Sequence, residues 1–596
     1  MLDYLIRNAS IADGTGAPIY RANVGIADGK LTIIAEGEPL PDAGKVIDAE
    51  GMLLCPGFID IHSHADVTLP FSPQCDSLLM QGITTFVGGN CGMGIAPAHK
   101  EDFIESYMMQ KLLLKGHLHV QWKSFSDWLS FAKKLPLGAN YVPLVAHNAL
   151  RGSVLGSDIS RYSTEEERKQ IAQLLNEALD AGAFGMSYTA DPGQAGHYAD
   201  DAELDELFSL LEARNSYITA HTRHHQNQWV SDDGRNYYGV YVGEPGDVIC
   251  GRYHGLLSFL EHARKTPKLR CAYSHLTNAF LAPIPHSQAM ENAMVEETLR
   301  VFMDEPLAEG LDIYFNMIPC APSLSSVQRV TYDLKLSLNY DAELKPYASE
   351  EKLVDALSNA EFREKLKTYI KSGKFKMGML SPATDPYWSD CYAFCTAKDE
   401  SLLGRTLMDI TKERFPGSSR TQLIYNHCLE VLFDLVCADP AIEWALIKDK
   451  REYQGADRLI QHPRCSPMTD TGAFPANSDK NLNVIGYGNP PLAYTVFVRY
   501  LVQMCREKGL ITLEDAIRRI TTLPASIMNL SDRGQIAEGM QADLVLLDWD
   551  NLGFDVDYNN PSLPPKGIRY VFVNGTPALE EGELTYAATG KVITKA

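Results

Sequence analysis

Between residues 54 and 470 the chain returns eight times to the same phrase, a short apolar run of strand composition that ends in small, polar or metal-binding residues. The runs span 54–62, 84–91, 141–147, 183–188, 217–221, 271–275, 311–316 and 464–470, and helical stretches fall between several of them. Buried strands alternating with helices predict βα units. Eight such units close a (β/α)8 barrel of the TIM type, so the expected fold class is α/β. The clearest helix covers 163–181, where Ser163 and Glu166 have capping-box spacing and the apolar residues follow helical periodicity.

The two ends of the chain have a different texture. Residues 4–8, 23–26 and 31–34 read as short strands separated by Asp13-Gly14 and Asp28-Gly29 turns. Residues 542–547 and 570–575 repeat that style. One small β-domain assembled from both termini and two separate β-appendages both satisfy this pattern. The expected division is a β-part over 1–53, a barrel over 54–530, and a second β-part over 531–596. Residues from about 340 to 455 are too many for one connection and contain helical stretches, which predicts a helical insertion in the barrel. Residues 226–253, rich in Gly, Tyr and Asp, follow the fifth run. They read as a solvated loop or as a lid over the barrel mouth.

Composition excludes several classes of function. A chain of 596 residues exceeds a single core and calls for a large barrel with additions or several domains. With 54 Lys+Arg against 76 Asp+Glu, the net charge of −22 argues against nucleic acid or an anionic membrane as partner. No apolar stretch approaches the roughly 20 residues that cross a bilayer, and the first residues lack a secretory pattern. The 12 cysteines are scattered without a CxxC pair, which fits reduced thiols and a cytoplasmic location.

Chemistry gathers where the runs end. The first closes with Asp60-Ile61-His62-Ser63-His64. Residues two apart in a strand share a side, so His62 and His64 can hold one metal ion together. Cys91 stands among glycines in Gly88-Gly89-Asn90-Cys91-Gly92, His221 closes the fifth run, His275 the sixth and Asp470 the eighth. Any one of these alone reads as a satisfied core or turn residue. Donors at five strand ends, on the face where barrels keep their active sites, read as a ligand set.

Taken with Thr512-Leu513-Glu514-Asp515-Ala516 and Gly539-Met540-Gln541-Ala542-Asp543-Leu544, the segment Pro56-Gly57-Phe58-Ile59-Asp60-Ile61-His62-Ser63-His64 resembles the amidohydrolase superfamily of metal-dependent hydrolases. The segments 13–18, 82–85, 89–92 and 570–575 narrow the resemblance to its D-aminoacylase (N-acyl-D-amino-acid deacylase) branch, nearly end to end. The resemblance implies a barrel with a β-sandwich built from both termini. It implies a tight zinc site from Cys91, His221 and His275. A second, weaker site would use His62, His64 and Asp470, with Cys91 able to bridge the two. Asp470 is preferred over Asp479 because it ends a strand as the branch's aspartate does, whereas Asp479 falls in a loop before Asn489-Pro490-Pro491.

The implied activity is hydrolysis of a C–N amide bond of a small N-acyl amine or N-acyl amino acid by activated water, with Asp470 as general acid and base. The sequence departs from the branch where relatives hold the substrate carboxylate. It has Leu276-Thr277-Asn278 in place of a lysine segment, Tyr314-Phe315-Asn316 in place of Tyr-Pro-Tyr, and Asn489-Pro490-Pro491 in place of His-Pro-Arg. Arg223, His224, His225 and Asn316 are the candidate substrate-binding residues; Arg223 matches an arginine of the branch, so only the two histidines are new, and ordinary loop solvation is their alternative role. A cyclic amide such as a lactam, imide or hydantoin-like ring is the alternative substrate, and a non-catalytic scaffold on the same fold is the alternative of another class.

Overall fold

The computed structural model describes residues 1–104, 108, 119–190, 194–222, 228–230, 236–238, 240–242, 248–276, 288–319, 327–338, 343–371, 388–447, 454–478 and 490–595. Its centre is a (β/α)8 barrel. The strands are Phe58–Asp60, Ile83–Gly88, Asn140–Pro143 continued by Val145–Ala146, Gly185–Thr189, Tyr217–His221, Arg270–Tyr273, Ile313–Met317 and Cys465–Pro467. Each pairs in parallel with the next. The third strand is interrupted at Leu144, whose amide still donates to the Gly88 carbonyl of the second strand (2.9 Å). Beyond the last strand, the Asp470 amide donates to the His62 carbonyl (3.0 Å) and the His64 amide to the Thr471 carbonyl (2.8 Å), which joins the eighth strand to the first.

Both chain ends contribute to one nine-stranded sheet. Leu53–Pro56 lies at its middle, antiparallel to Leu544–Leu547 on one side and parallel to the end of Leu2–Ile11 on the other. Alternation along these strands serves two cores at once. Leu54, Leu544, Leu546 and Phe572 pack within the sheet's own core beside Ile6, Val24 and Ile26. Leu53, Cys55, Val545, Leu547, Val571 and Val573 pack into the barrel core. Strands covered on both faces must be apolar at every position, which explains the unbroken runs Leu544-Val545-Leu546-Leu547 and Tyr570-Val571-Phe572-Val573.

Several sequence expectations change in detail. The expected first strand over 54–62 is two strands, and the boundary drawn at residue 53 falls inside the terminal sheet. Gly57 is the break. A Cβ there would collide with the Thr84 side chain, and its amide donates to the Asp543 carbonyl (2.7 Å), so the chain leaves one sheet for the other at a residue with no side chain. The helix expected over 163–181 runs Glu165–Asp180, and its capping box is formed by Thr164 and Glu167. The Ser163 hydroxyl donates instead to buried Glu203 (2.5 Å).

The insertion has a core of its own, built from residues such as Val330, Leu334, Leu366, Trp388, Leu429, Leu432 and Trp444. Its three-stranded sheet joins Gln328–Arg329, Glu443–Leu446 and Tyr392–Thr396, so it starts before the expected residue 340. Within 226–253 the described residues form two short antiparallel pairs, Gln228–Val230 with Asn236–Tyr238 and Val240–Val242 with Val248–Cys250. No helix of the described residues is long and apolar enough to cross a membrane.

Candidate metal centre

The six donors picked out in the sequence meet at the C-terminal ends of the barrel strands as one contiguous chain of contacts. His64 Nε2 lies 3.1 Å from Asp470 Oδ1, and the same oxygen lies 3.2 Å from His62 Nε2. His62 Nε2 is 3.1 Å from Cys91 Sγ, which is 3.2 Å from His275 Nε2. His275 Nε2 is in turn 2.9 Å from His221 Nδ1. Donor atoms of His62, Cys91, His275 and Asp470 all lie within 4.8 Å of one another. Every one of the six residues is buried.

The strands end earlier than expected, and that changes how the donors are aimed. Only His221 is itself a strand residue. His62 and His64 follow Asp60, Cys91 follows Gly88, His275 follows Tyr273, and Asp470 follows Pro467. The pairing of His62 with His64 is therefore a property of the turn after the strand and not of strand alternation. Cys91 (φ 54°), His275 (φ 36°) and Asp470 (φ 56°) adopt left-handed backbone, which non-glycine residues take at an energetic cost. Gly89 makes the Cys91 turn possible, since a Cβ there would collide with the Leu144 carbonyl.

Electrostatics fits a cation among these groups. Burial opposes the charge on Asp470, yet His275, His62 and His64 outweigh it and hold the carboxyl well below the usual range. Burial likewise pushes the His62 pKa down, toward the neutral imidazole that binds metal. Imidazole nitrogens, one thiolate sulfur and one carboxylate oxygen make a donor set for a borderline-soft ion such as zinc, and not for magnesium or calcium.

The remaining site expectations fare differently. Asn316 is buried, and its Oδ1 accepts a hydrogen bond from the His275 amide (2.8 Å), so this oxygen is committed to the protein backbone. Arg223, His224, His225 and Asp479 lie outside the described residues. Sequence reasoning overlooked Asp60, although it shares the motif of His62 and His64. Its carboxyl accepts from the Thr469 hydroxyl (2.5 Å), and burial pushes it up to about 7. It also overlooked Ser187, which no local pattern marks.

Amidohydrolase family models match residues 53–237 and 438–578, together more than half of the chain. The chain is similar to the N-acyl-D-aspartate deacylase of Alcaligenes xylosoxydans xylosoxydans, 26% identical over 98% of this chain and 93% of that protein. It is similar to the D-aminoacylase of the same organism, 24% identical over 100% of this chain and 98% of the other. Among solved structures it resembles the N-acyl-D-glutamate deacylase of Bordetella bronchiseptica in complex with zinc and a phosphonate inhibitor. The TM-score is 0.64 at 22% identity, covering 100% of this chain and 99% of that one. The family models and the fold agree with the buried donor cluster at the barrel mouth, and the chain belongs to the amidohydrolase family, as a metal-dependent hydrolase of carbon–nitrogen amide bonds.

Proposed function

We propose that the protein is a zinc-dependent deacylase of small N-acyl amino acids, acting on the D series. The observation that carries the metal chemistry is the unbroken chain of six donors from His64 to His221 with Cys91 at its middle; the D series rests on the similarity to N-acyl-D-aspartate deacylase and D-aminoacylase. Cys91, His221 and His275 would hold the tighter ion, and His62, His64 and Asp470 a weaker second one with Cys91 shared. When bound, zinc supplies Lewis acidity and lowers the pKa of a water toward about 7.

The chain's own groups do the rest. Asp470, held ionised by its histidines, accepts the proton of the attacking water. It then returns that proton to the amide nitrogen, which is a poor leaving group until protonated. All six donors are buried, which supports a reaction site with limited access to bulk water. Arg223, His224 and His225, which follow the His221 strand, are the proposed contacts to the substrate carboxylate.

The deciding experiment is a hydrolysis screen of the zinc-loaded enzyme. It would pair N-acyl-D- and N-acyl-L-amino acids with neutral linear amides and with lactam, imide and hydantoin rings. Turnover of N-acyl-D-amino acids is expected. Activity confined to rings would move the assignment to a cyclic amide hydrolase. Inert protein with stoichiometric zinc would leave a scaffold.

A further inference from the structure

Three of the six donors sit on left-handed backbone, and each of those turns is tied down by a buried polar side chain from another barrel strand. The Ser187 hydroxyl, on the fourth strand, donates to the Gly89 carbonyl and accepts from the Gly92 amide (2.8 Å), so it spans the turn that carries Cys91. Asn316, on the seventh strand, accepts from the amide of His275 (2.8 Å). Asp60, on the first strand, accepts from the Thr469 amide (3.1 Å) and hydroxyl (2.5 Å) immediately before Asp470. It also lies 3.3 Å from the His62 amide. All three side chains are almost fully buried. Their contacts to these turns are to backbone or to Thr469, not to the donor side chains.

We infer that Ser187, Asn316 and Asp60 are positioning residues, each fixing the strained turn of one donor, Cys91, His275 and Asp470 respectively. The reasoning is local. A turn held at positive φ relaxes toward ordinary backbone once its restraint is gone, and a relaxed turn re-aims its side chain. A metal site tolerates little re-aiming, because donors must stand within a few tenths of an ångström of their bonding distance. Ser187 and Asn316 therefore each govern one donor, Asp60 governs the Asp470 turn together with the His62 amide, and none governs the site as a whole. That separates this role from general support of the barrel.

This rests on the metal-ligand roles proposed above, and cobalt(II) separates the two. Cobalt(II) bound by a cysteine thiolate shows a sulfur-to-metal charge-transfer band, which reports Cys91 directly. The zinc-free enzyme and its Ser187→Ala, Asn316→Ala and Asp60→Ala variants would be titrated with cobalt(II). Affinity would be read by chelator competition and folding by thermal unfolding of the metal-free forms. Each variant is expected to lose about 10–100-fold in affinity. The thiolate band should shift or weaken in Ser187→Ala and persist in the other two. Recovery in Ser187→Thr, which keeps the hydroxyl, would support the assignment.

Wild-type affinity in all three variants overturns the inference, as does the same band change in all three. If Ser187→Ala fails to fold, Asn316→Ala and Asp60→Ala still decide it, since loss of the thiolate band in either contradicts donor-by-donor control. A wild-type cobalt enzyme with no thiolate band would instead remove Cys91 from the metal and sink the reading on which this one rests.

Discussion

Glu203 and Asp470 are both buried carboxylates of the barrel, and their neighbours make them opposites. Glu203 is met by the Arg151 guanidinium, by His147 Nε2 (2.7 Å) and by the Ser163 hydroxyl (2.5 Å). Burial opposes its charge, but His147 and Arg151 prevail and bring its pKa down to about 2. Asp470 is surrounded by three histidines, with the Cys91 thiol next in the chain of contacts. A carboxylate that has an arginine beside its imidazole is already neutralised and ties helices together. One answered by imidazoles has neighbours that are themselves metal donors, so a cation can complete its charge balance. Burial alone does not distinguish structure from chemistry; the identity of the partners does.

The contrast breaks most visibly by mutation. Asp470→Asn should keep most of the bound zinc while kcat falls by about 10²–10⁴-fold, the range of a lost general acid–base group. Steady-state kinetics beside metal analysis checks this, and unchanged kcat would reopen the case for Asp479. Arg151→Met should do the reverse. It leaves Glu203 buried without its permanent charge partner, and a stability loss of about 3–5 kcal/mol in denaturant is expected with metal affinity unaltered.

A third buried carboxylate sharpens the comparison from outside the barrel. Asp333, in the core of the insertion, accepts only from the Trp444 indole N–H (2.7 Å) among its described hydrogen bonds, and burial pushes it up to about 7. With its folded pKa above its unfolded value near 4, its contribution is fully present below about pH 4 and is lost as pH rises through 7. The wild type should lose on the order of a few kcal/mol across that window relative to Asp333→Asn, which keeps an acceptor for Trp444 and carries no charge. Parallel urea titrations at several pH values read the difference.

The smallest effect concerns the helix beside Glu203. Thr164→Ala removes the cap of Glu165–Asp180 and should cost about 1 kcal/mol. Ser163→Ala should spare the helix end and raise the Glu203 pKa. Comparing the two by denaturant unfolding and by its pH dependence tells cap from network.

Much of this organisation was legible in order along the chain. Each of the eight apolar runs contains most of one barrel strand, because strands covered on both faces must be continuously apolar. The six donors stood out because five of them close such a run and His64 lies two residues beyond the first. Strand ends were less legible. Cys91, His275 and Asp470 lie past the last ladder residue, since a left-handed turn leaves no mark that separates it from the strand before it. The cap of Glu165–Asp180 slipped by one residue because Ser163 and Thr164 are both good caps followed three residues later by glutamate. Glu203 claimed the first of them.

The sequence alone marked where the barrel strands lie, which residues are candidate donors, and that both chain ends are β, because hydrophobic periodicity and residue chemistry are local properties. Tertiary structure alone decided which donors touch and what holds them. His64 and Asp470 are 406 positions apart, and Asp60 and Thr469 are 409 apart. The restraint on the Cys91 turn comes from Ser187, on a strand almost a hundred residues later. Such contacts arise only when the barrel closes, and nothing within a turn of either residue encodes them.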